Sequence, residues 1–372
     1  MTTRIDRRTT QPRAASWPLA AAVALALLAG GFTWTGDAYA QRSGGRGESA
    51  AELDWWPVRE NVWMLVGAGA NITASVGPDG VFLVNTGRES DSERVLAAVG
   101  DLQDQLNAFG KLDVALPERG GAETRSRMPI NSHPPPKPIR YIVNTSSLPH
   151  NTGGNEALAA AGVTYSGGNV AGTIADSAVG AAVLAHENVL VRMVSAGAPF
   201  EALPTDTFFV DEYKLSTFFN GEGIRLVHIP AATTDGDSVV YFRGSDVIAA
   251  GDLLDMESFP RIDVERGGSI DGVLEGLNYI LNLAIPEFRT EGGTMIVPGH
   301  GRLADSADVG YYRDMLTIIR DQVQALIERG MTVQQVVAER PTFGYEGRFG
   351  SDTGEWTTEM FIEAVYRSLK EE

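Results

Sequence analysis

The strongest constraint on the fold of this chain is a strand that runs directly into a polar loop and then into a helix. Ile139-Arg140-Tyr141-Ile142-Val143 has the apolar, β-prone character of a strand. Asn144-Thr145-Ser146-Ser147-Leu148-Pro149-His150-Asn151-Thr152-Gly153-Gly154-Asn155 follows as a loop, and Glu156 to Ala161 begins a short helix. Loops held between a strand and a helix are where α/β proteins place their working polar residues, because the scaffold fixes both ends. The stretch therefore predicts an α/β architecture with its working residues in this loop.

The flanking sequence supports this. Asn61 to Val66, Asn71 to Val76 and Val81 to Val84 are three short β-prone runs, punctuated by Gly67 to Gly69 and by Pro78-Asp79-Gly80. They predict an antiparallel meander with a hairpin turn at Asp79-Gly80. Val95, Leu96, Val99, Leu102 and Leu106 recur at helical spacing. A polar, proline-rich insertion from about 109 to 138 has no periodicity and reads as a surface loop that carries His133. Further strands are expected at Ile224 to Pro230, Val239 to Phe242, Val247 to Ala250 and Thr294 to Val297. Each runs into a polar junction: Ala231 to Ser238 joins the first to the second, and Gly251-Asp252 and Pro298-Gly299-His300-Gly301 follow the other two. His228 sits among the apolar residues of its strand and faces solvent or a neighbouring layer. His186-Glu187 falls where a strand ends and a helix begins, and is read as holding that helix start by hydrogen bonds. Toward the C-terminus, Tyr312, Met315, Leu316, Ile319, Val323, Leu326 and Ile327 form one helical stripe ended by Gly330. Thr332 is placed to cap a second helix before Pro341. A last helix carries Phe361, Ile362, Val365, Tyr366 and Leu369 on one face, read as packing against the rest of the domain.

The first 40 residues have the pattern of an export signal. Arg4, Arg7, Arg8 and Arg13 precede an apolar run from Trp17 to Leu28, and Ala38-Tyr39-Ala40 fits a small-x-small cleavage site. The run is short for a membrane span, so no stable span is expected after its removal. Residues 41–52 read as a flexible linker, 53–305 as the main domain and 306–372 as a helical extension. A periplasmic or secreted location follows. The full chain carries a formal charge of −18. Removing a segment with four Arg and two Asp takes that to −20, which argues against nucleic acid or an anionic membrane surface as a partner. A small-molecule substrate or ligand is the expected partner, with the oligomeric state left open. Cysteine is absent, so disulfides and thiolate ligands are excluded, and five histidines supply every imidazole available.

Four junctions, in order, resemble the metallo-β-lactamase superfamily. There, a strand ending in Asn-Thr leads into His-x-His-x-Asp-His and Thr-Gly-Gly-Asn; here Asn144-Thr145 leads into Ser146 to His150 and then into Asn151-Thr152-Gly153-Gly154-Asn155. The family's Ala-His-Thr-Asp-Gly-Asp corresponds to Ala232 to Asp237, its Gly-Asp to Gly251-Asp252, and its Pro-Gly-His-Gly to Pro298 to Gly301. The resemblance spans about Asn61 to Gly301 and implies an α/β (α+β) αββα sandwich, two mixed sheets face to face with helices outside, here with a helical C-terminal extension. It also implies hydrolase ancestry, the superfamily acting on lactams, lactones, thioesters and phosphoesters.

The family's metal ligands carry over unevenly. Its first zinc subsite corresponds to Ser146, Leu148 and Thr233, none of which is a useful zinc ligand. Its supporting Val-Asp-Thr-Gly corresponds to Val84-Asn85-Thr86-Gly87. Its second subsite corresponds to His150, Asn151, Asp252 and His300, and two imidazoles with a carboxylate can hold one zinc or another divalent ion. Two readings follow from the resemblance: a hydrolase using one metal at His150, Asp252 and His300, or a catalytically inactive binding or scaffold protein. No catalytic residue is assigned from the sequence. No Gly-x-Ser-x-Gly elbow, P-loop or dinucleotide fingerprint occurs, and Ser146-Ser147 is read as polar filler.

Overall fold

The computed structural model describes residues 52–108, 137–164, 180–286 and 292–371. The export signal, nearly all of the linker, His133 and most of the 109–138 insertion lie outside the described residues. Among the described residues, no helix is long and apolar enough to cross a membrane.

Seven strands form the first sheet in chain order: β1 (Asp54–Arg59), β2 (Val62–Ala68), β3 (Ala70–Gly77), β4 (Gly80–Val84), β5 (Ile139–Val143), β6 (Ala182–His186) and β7 (Asp206–Phe208). β1 to β4 pair antiparallel and β4 to β7 pair parallel. The second sheet runs in the order β12 (Met295–His300), β11 (Val247–Asp255), β10 (Ser238–Phe242), β9 (Glu222–His228) and β8 (Glu212–Phe219). Only β11 and β12 pair parallel in it. The predicted hairpin is present, with Gly77 opposite Gly80. β1, which the sequence pattern did not reveal, adds an edge to the meander.

Alternation along each strand sorts its side chains into layers. Met64, Phe82 and Val84 of the first sheet pack with Leu226, Val240, Phe242 and Ala249 of the second to form the inter-sheet core. Phe82 and Phe242 meet edge-to-face at 5.6 Å across it. The opposite face of the first sheet, with Leu65, Ile72, Val81 and Leu83, is covered by α1 (Ser92–Ala108) through Val95, Val99, Leu102 and Leu106, and by α3 (Asn155–Ala160) through Leu158. The outer face of the second sheet is covered by α5 (Ile270–Leu283), α6 (Ser306–Glu328), α7 (Val333–Glu339), α8 (Glu346–Phe349) and α9 (Thr358–Glu371). The C-terminal helices thus supply the second outer layer: Tyr312, Leu316, Ile319, Phe361 and Val365 are buried there. Thr332 caps α7 through a capping box with Gln335, as its position predicted. The architecture is the expected αββα sandwich.

Candidate active site

The site lies at one edge of the sandwich, where β5, β11 and β12 end and the loop between β9 and β10 comes across. The opening loop is pinned from three sides. Asn144 and Asn155 exchange amide hydrogen bonds at 2.9 Å, Thr86 donates to Asn155 Oδ1 at 3.0 Å, and the Thr86 N–H donates to the Asn151 carbonyl at 2.9 Å. Asn85, at φ 66°, accepts from the Thr145 N–H at 2.9 Å. This left-handed conformation suits an asparagine, whose short side chain bonds locally. At Gly251, φ +55°, a Cβ would sit 2.6 Å from Thr145 Oγ1, so β11 needs glycine there to pass the loop. Proline at the first position then starts a single helical turn, α2 (Pro149–Thr152), that sets His150 and Asn151 beside Asp252.

Asp252 is the hub. Asn151 Nδ2 donates to its Oδ2 at 2.6 Å, Ser146 Oγ donates to Oδ2 at 3.3 Å, and His150 Nε2 lies 3.1 Å from both oxygens. Burial pushes this carboxyl up, but the charge and hydrogen bond of His150, with His300 and Asn151 adding, hold it down to about 2. Burial likewise works against the His150 imidazolium, and Asp252 outweighs it, while Arg261 and Arg88 pull the other way; the net effect raises the His150 pKa. His300 Nδ1 lies 3.4 Å from Asp255 Oδ2, and the His150 and His300 rings meet nearly edge-on at 5.3 Å. Asp255 was missed by the sequence reading. All four residues line one open cleft of about 230 Å³, together with Arg88, Glu257, Ser258, Arg261 and Trp356. Arg88 lies across Gly69, where a Cβ would come 2.6 Å from its Cγ.

The positions of the first metal subsite are used differently. Leu148 is buried. Thr233 donates its hydroxyl to Asp237 at 2.8 Å, and the Thr234 N–H donates to the same carboxylate at 2.6 Å. Ser146, fully buried, receives Asn151 Nδ2 at 2.8 Å and the Leu148 N–H at 3.3 Å. This subsite does not fit a metal. The second subsite does bring His150, Asp252 and His300 together. Asn151 Nδ2 donates to Asp252 Oδ2, which occupies one carboxylate oxygen, while Asn151 Oδ1 is buried beside it without a hydrogen-bond partner. Among the described residues no group of three or more His, Asp or Glu side chains is set out to hold a metal ion.

The two other described histidines, His186 and His228, fall outside the cleft. His186 caps a helix by accepting from the Asn188 N–H at 3.3 Å, the structural role its position implied. His228 faces the neighbouring layer, stacked on His186.

No protein-family model and no curated protein sequence matches the chain. Solved structures do. A stereoselective inverting sec-alkylsulfatase, Pisa1 from Pseudomonas sp., aligns over 85% of this chain and 50% of its own length at 15% identity, with a TM-score of 0.56. A double mutant of the same enzyme gives 0.57 over the same coverage. The metallo-β-lactamase DIM-1 aligns over 72% of this chain and 98% of its own, at 15% identity and a TM-score of 0.46. The chain spans about half the length of the alkylsulfatase. The chain shares the fold of this alkylsulfatase.

Proposed function

We propose that the chain is an exported small-molecule hydrolase of this fold that works through two carboxylate-held imidazoles in place of a metal pair. The observation that carries the reading is the pairing of His150 with Asp252 and of His300 with Asp255, their rings 5.3 Å apart in one cleft. The Asp252 hydrogen bond fixes the tautomer and orientation of His150. Asp255, 3.4 Å from His300 Nδ1 and itself held by the Glu257 and Ser258 N–H groups, favours a proton on that nitrogen, so each imidazole keeps its other nitrogen for substrate. For His300 the second nitrogen is Nε2, and for His150 it is Nδ1. In this reading His300 takes a proton from the attacking water, and Asp255 stabilises the imidazolium that forms. The water oxygen bonds to the electrophilic centre, the bond to the leaving oxygen breaks, and that oxygen takes its proton from the His150 imidazolium, the form that Asp252 favours. General acid–base catalysis of this kind is worth roughly 10²–10⁴-fold. Export is supported by the basic, apolar and Ala-x-Ala pattern of the N-terminus.

The substrate class is an ester of an oxygen acid, and an anionic group on it would meet Arg88, which has no carboxylate partner among the described residues. The likeness to a sec-alkylsulfatase places a sulfate ester in the screen. The test uses the mature protein with 4-nitrophenyl acetate, a fluorogenic lactone, bis(4-nitrophenyl) phosphate and 4-nitrophenyl sulfate, each with and without EDTA. Turnover should survive EDTA and fall at least about 100-fold in His300→Gln. Turnover abolished by EDTA and restored by one equivalent of zinc would instead assign His150, Asp252 and His300 to a single ion. Silence on every reporter would favour ligand binding without turnover, a second reading that the buried Leu148 and the internally bonded Thr233 support.

A further inference from the structure

A second histidine pair lies outside the cleft and joins the two sheets. His186 closes β6 in the first sheet, and His228 closes β9 in the second. Their rings stack at 3.6 Å with planes 4° apart. His186 Nδ1 accepts from the Asn188 N–H, the first turn of α4 (Glu187–Ser195). His228 Nε2 donates to the Asp235 carbonyl at 2.8 Å, and Asn188 Nδ2 donates to the same carbonyl, also at 2.8 Å. Arg192 of α4 completes the bridge with an ion pair to the Asp235 carboxylate at 2.7 Å. The loop reached in this way, 229–237, carries Thr233 and Asp237, and the Ser238 N–H that follows donates to the Thr145 carbonyl of the site loop at 2.8 Å.

We propose that this histidine stack is an acid-sensitive latch, which holds α4 and the 229–237 loop together while His186 is neutral and releases them when His186 is protonated. The reason is geometric. Nδ1 of His186 serves as the acceptor that caps α4, and a proton there turns the acceptor into a donor facing another N–H. The new charge would also sit at the positive end of a helix dipole and 3.6 Å from a second imidazole. The charged groups around the pair do little to offset this. The Asp235 carboxylate is engaged by Arg192, which Asp263 also reaches electrostatically. Glu187 is exposed on α4, Asp211 contributes only its carbonyl to the His228 N–H, and Phe208 and Tyr213 close the other side as stacked rings. Burial, with the charge of His228 adding to it, pushes the His186 pKa down to about 4, against a smaller opposing pull from Asp235.

The test is amide hydrogen exchange on the full chain between pH 7.5 and 5.0, with rates corrected for their intrinsic pH dependence. Protection in 187–195 and 229–238 should fall about tenfold at the acid end, while α5 keeps its own. His186→Asn retains a capping acceptor that cannot take a proton at these pH values, and should show no such loss. Unchanged protection in the wild type, or the same loss in His186→Asn, would overturn the latch. His228→Asn removes the neighbouring imidazole that helps to lower the His186 pKa, so the acid loss of protection should shrink, and an unchanged loss would overturn the proposal even if the first variant fails to fold. The readout does not depend on turnover, so this inference and the hydrolase reading fail separately.

Discussion

Two pairs of histidines in this molecule have opposite chemistry, and their partners explain why. His150 and His300 meet edge-on at 5.3 Å, each beside a carboxylate, and the His150 pKa rises despite burial. His186 and His228 lie flat on one another at 3.6 Å, bonded only to backbone groups, and the His186 pKa falls to about 4. Burial penalises the charged form in both places; a buried anion reverses the sign in one of them. The same residue type therefore has its charged form favoured at the cleft and disfavoured between the sheets.

The largest expected effect removes that anion. Asp252→Ala would leave the Asn151 amide, the Ser146 hydroxyl and His150 without their shared acceptor in a buried site. Breaking a buried charge network in this way costs about 3–5 kcal/mol, which urea unfolding would register directly. Asp252→Asn keeps the shape and loses the charge, so the His150 imidazole, followed by NMR, should titrate below its wild-type value. An unmoved His150 titration would mean that Asp252 is not what separates the two pairs.

The next effect concerns pH. A histidine whose folded pKa lies below its unfolded value takes up protons more readily when unfolded, so its contribution to stability is complete above about pH 6.5 and is lost as the pH falls toward 4. The shift corresponds to about 3 kcal/mol at most. Stability measured at pH 7.5 and 5.0 should therefore drop in the wild type, and much less in His186→Asn. Asp237 has the opposite dependence. Burial pushes its carboxyl up to about 7 against hydrogen bonds from Thr234 and Thr233. A carboxyl raised in the folded state contributes stability that is full below about pH 4 and is lost as the pH rises through 7. Relative to the wild type, Asp237→Asn should gain about 2 kcal/mol between pH 5 and pH 8.

The sandwich was legible because strand period, turn residues and helix spacing all follow local rules. Four polar junctions at strand ends pointed to the site edge through their resemblance to a known family and not through local rules. Asp255 was not legible, for a reason specific to β11. In a regular strand, residues three apart face opposite sides, so Asp252 and Asp255 should not share a cleft. The pairing of β11 with β12 shifts register between Ala249 and Gly251 and again between Gly251 and Asp255, and both carboxylates line the same cleft. The His186–His228 stack joins strand ends 42 positions apart in different sheets, a contact that no local pattern encodes. The turn at Pro149 reads as loop from its composition, yet it is the helical turn that sets His150 beside Asp252.

The smallest expected effect tests what distinguishes the cleft pair on its solvent side. Arg88 and Arg261 both act against the His150 imidazolium, yet only Arg261 has an acidic partner, Glu355 at 3.6 Å. Glu355 is 91% exposed, so that pair is screened and contributes little. Arg88 instead rests over the bare backbone of Gly69, whose φ of +97° and missing Cβ give it room. A guanidinium held at a cleft mouth without a carboxylate is free to receive an anionic group from a ligand. Arg88→Ala should therefore weaken benzenesulfonate binding about tenfold by calorimetry, close to 1.4 kcal/mol, and leave benzenesulfonamide unchanged. The loss should shrink as salt rises, because an exposed charge contact is screened within about 10 Å at 0.1 M. Equal losses for the charged and neutral probes would reduce Arg88 to a packing role and leave the two carboxylate-held imidazoles as the only polar features that set this cleft apart from the latch.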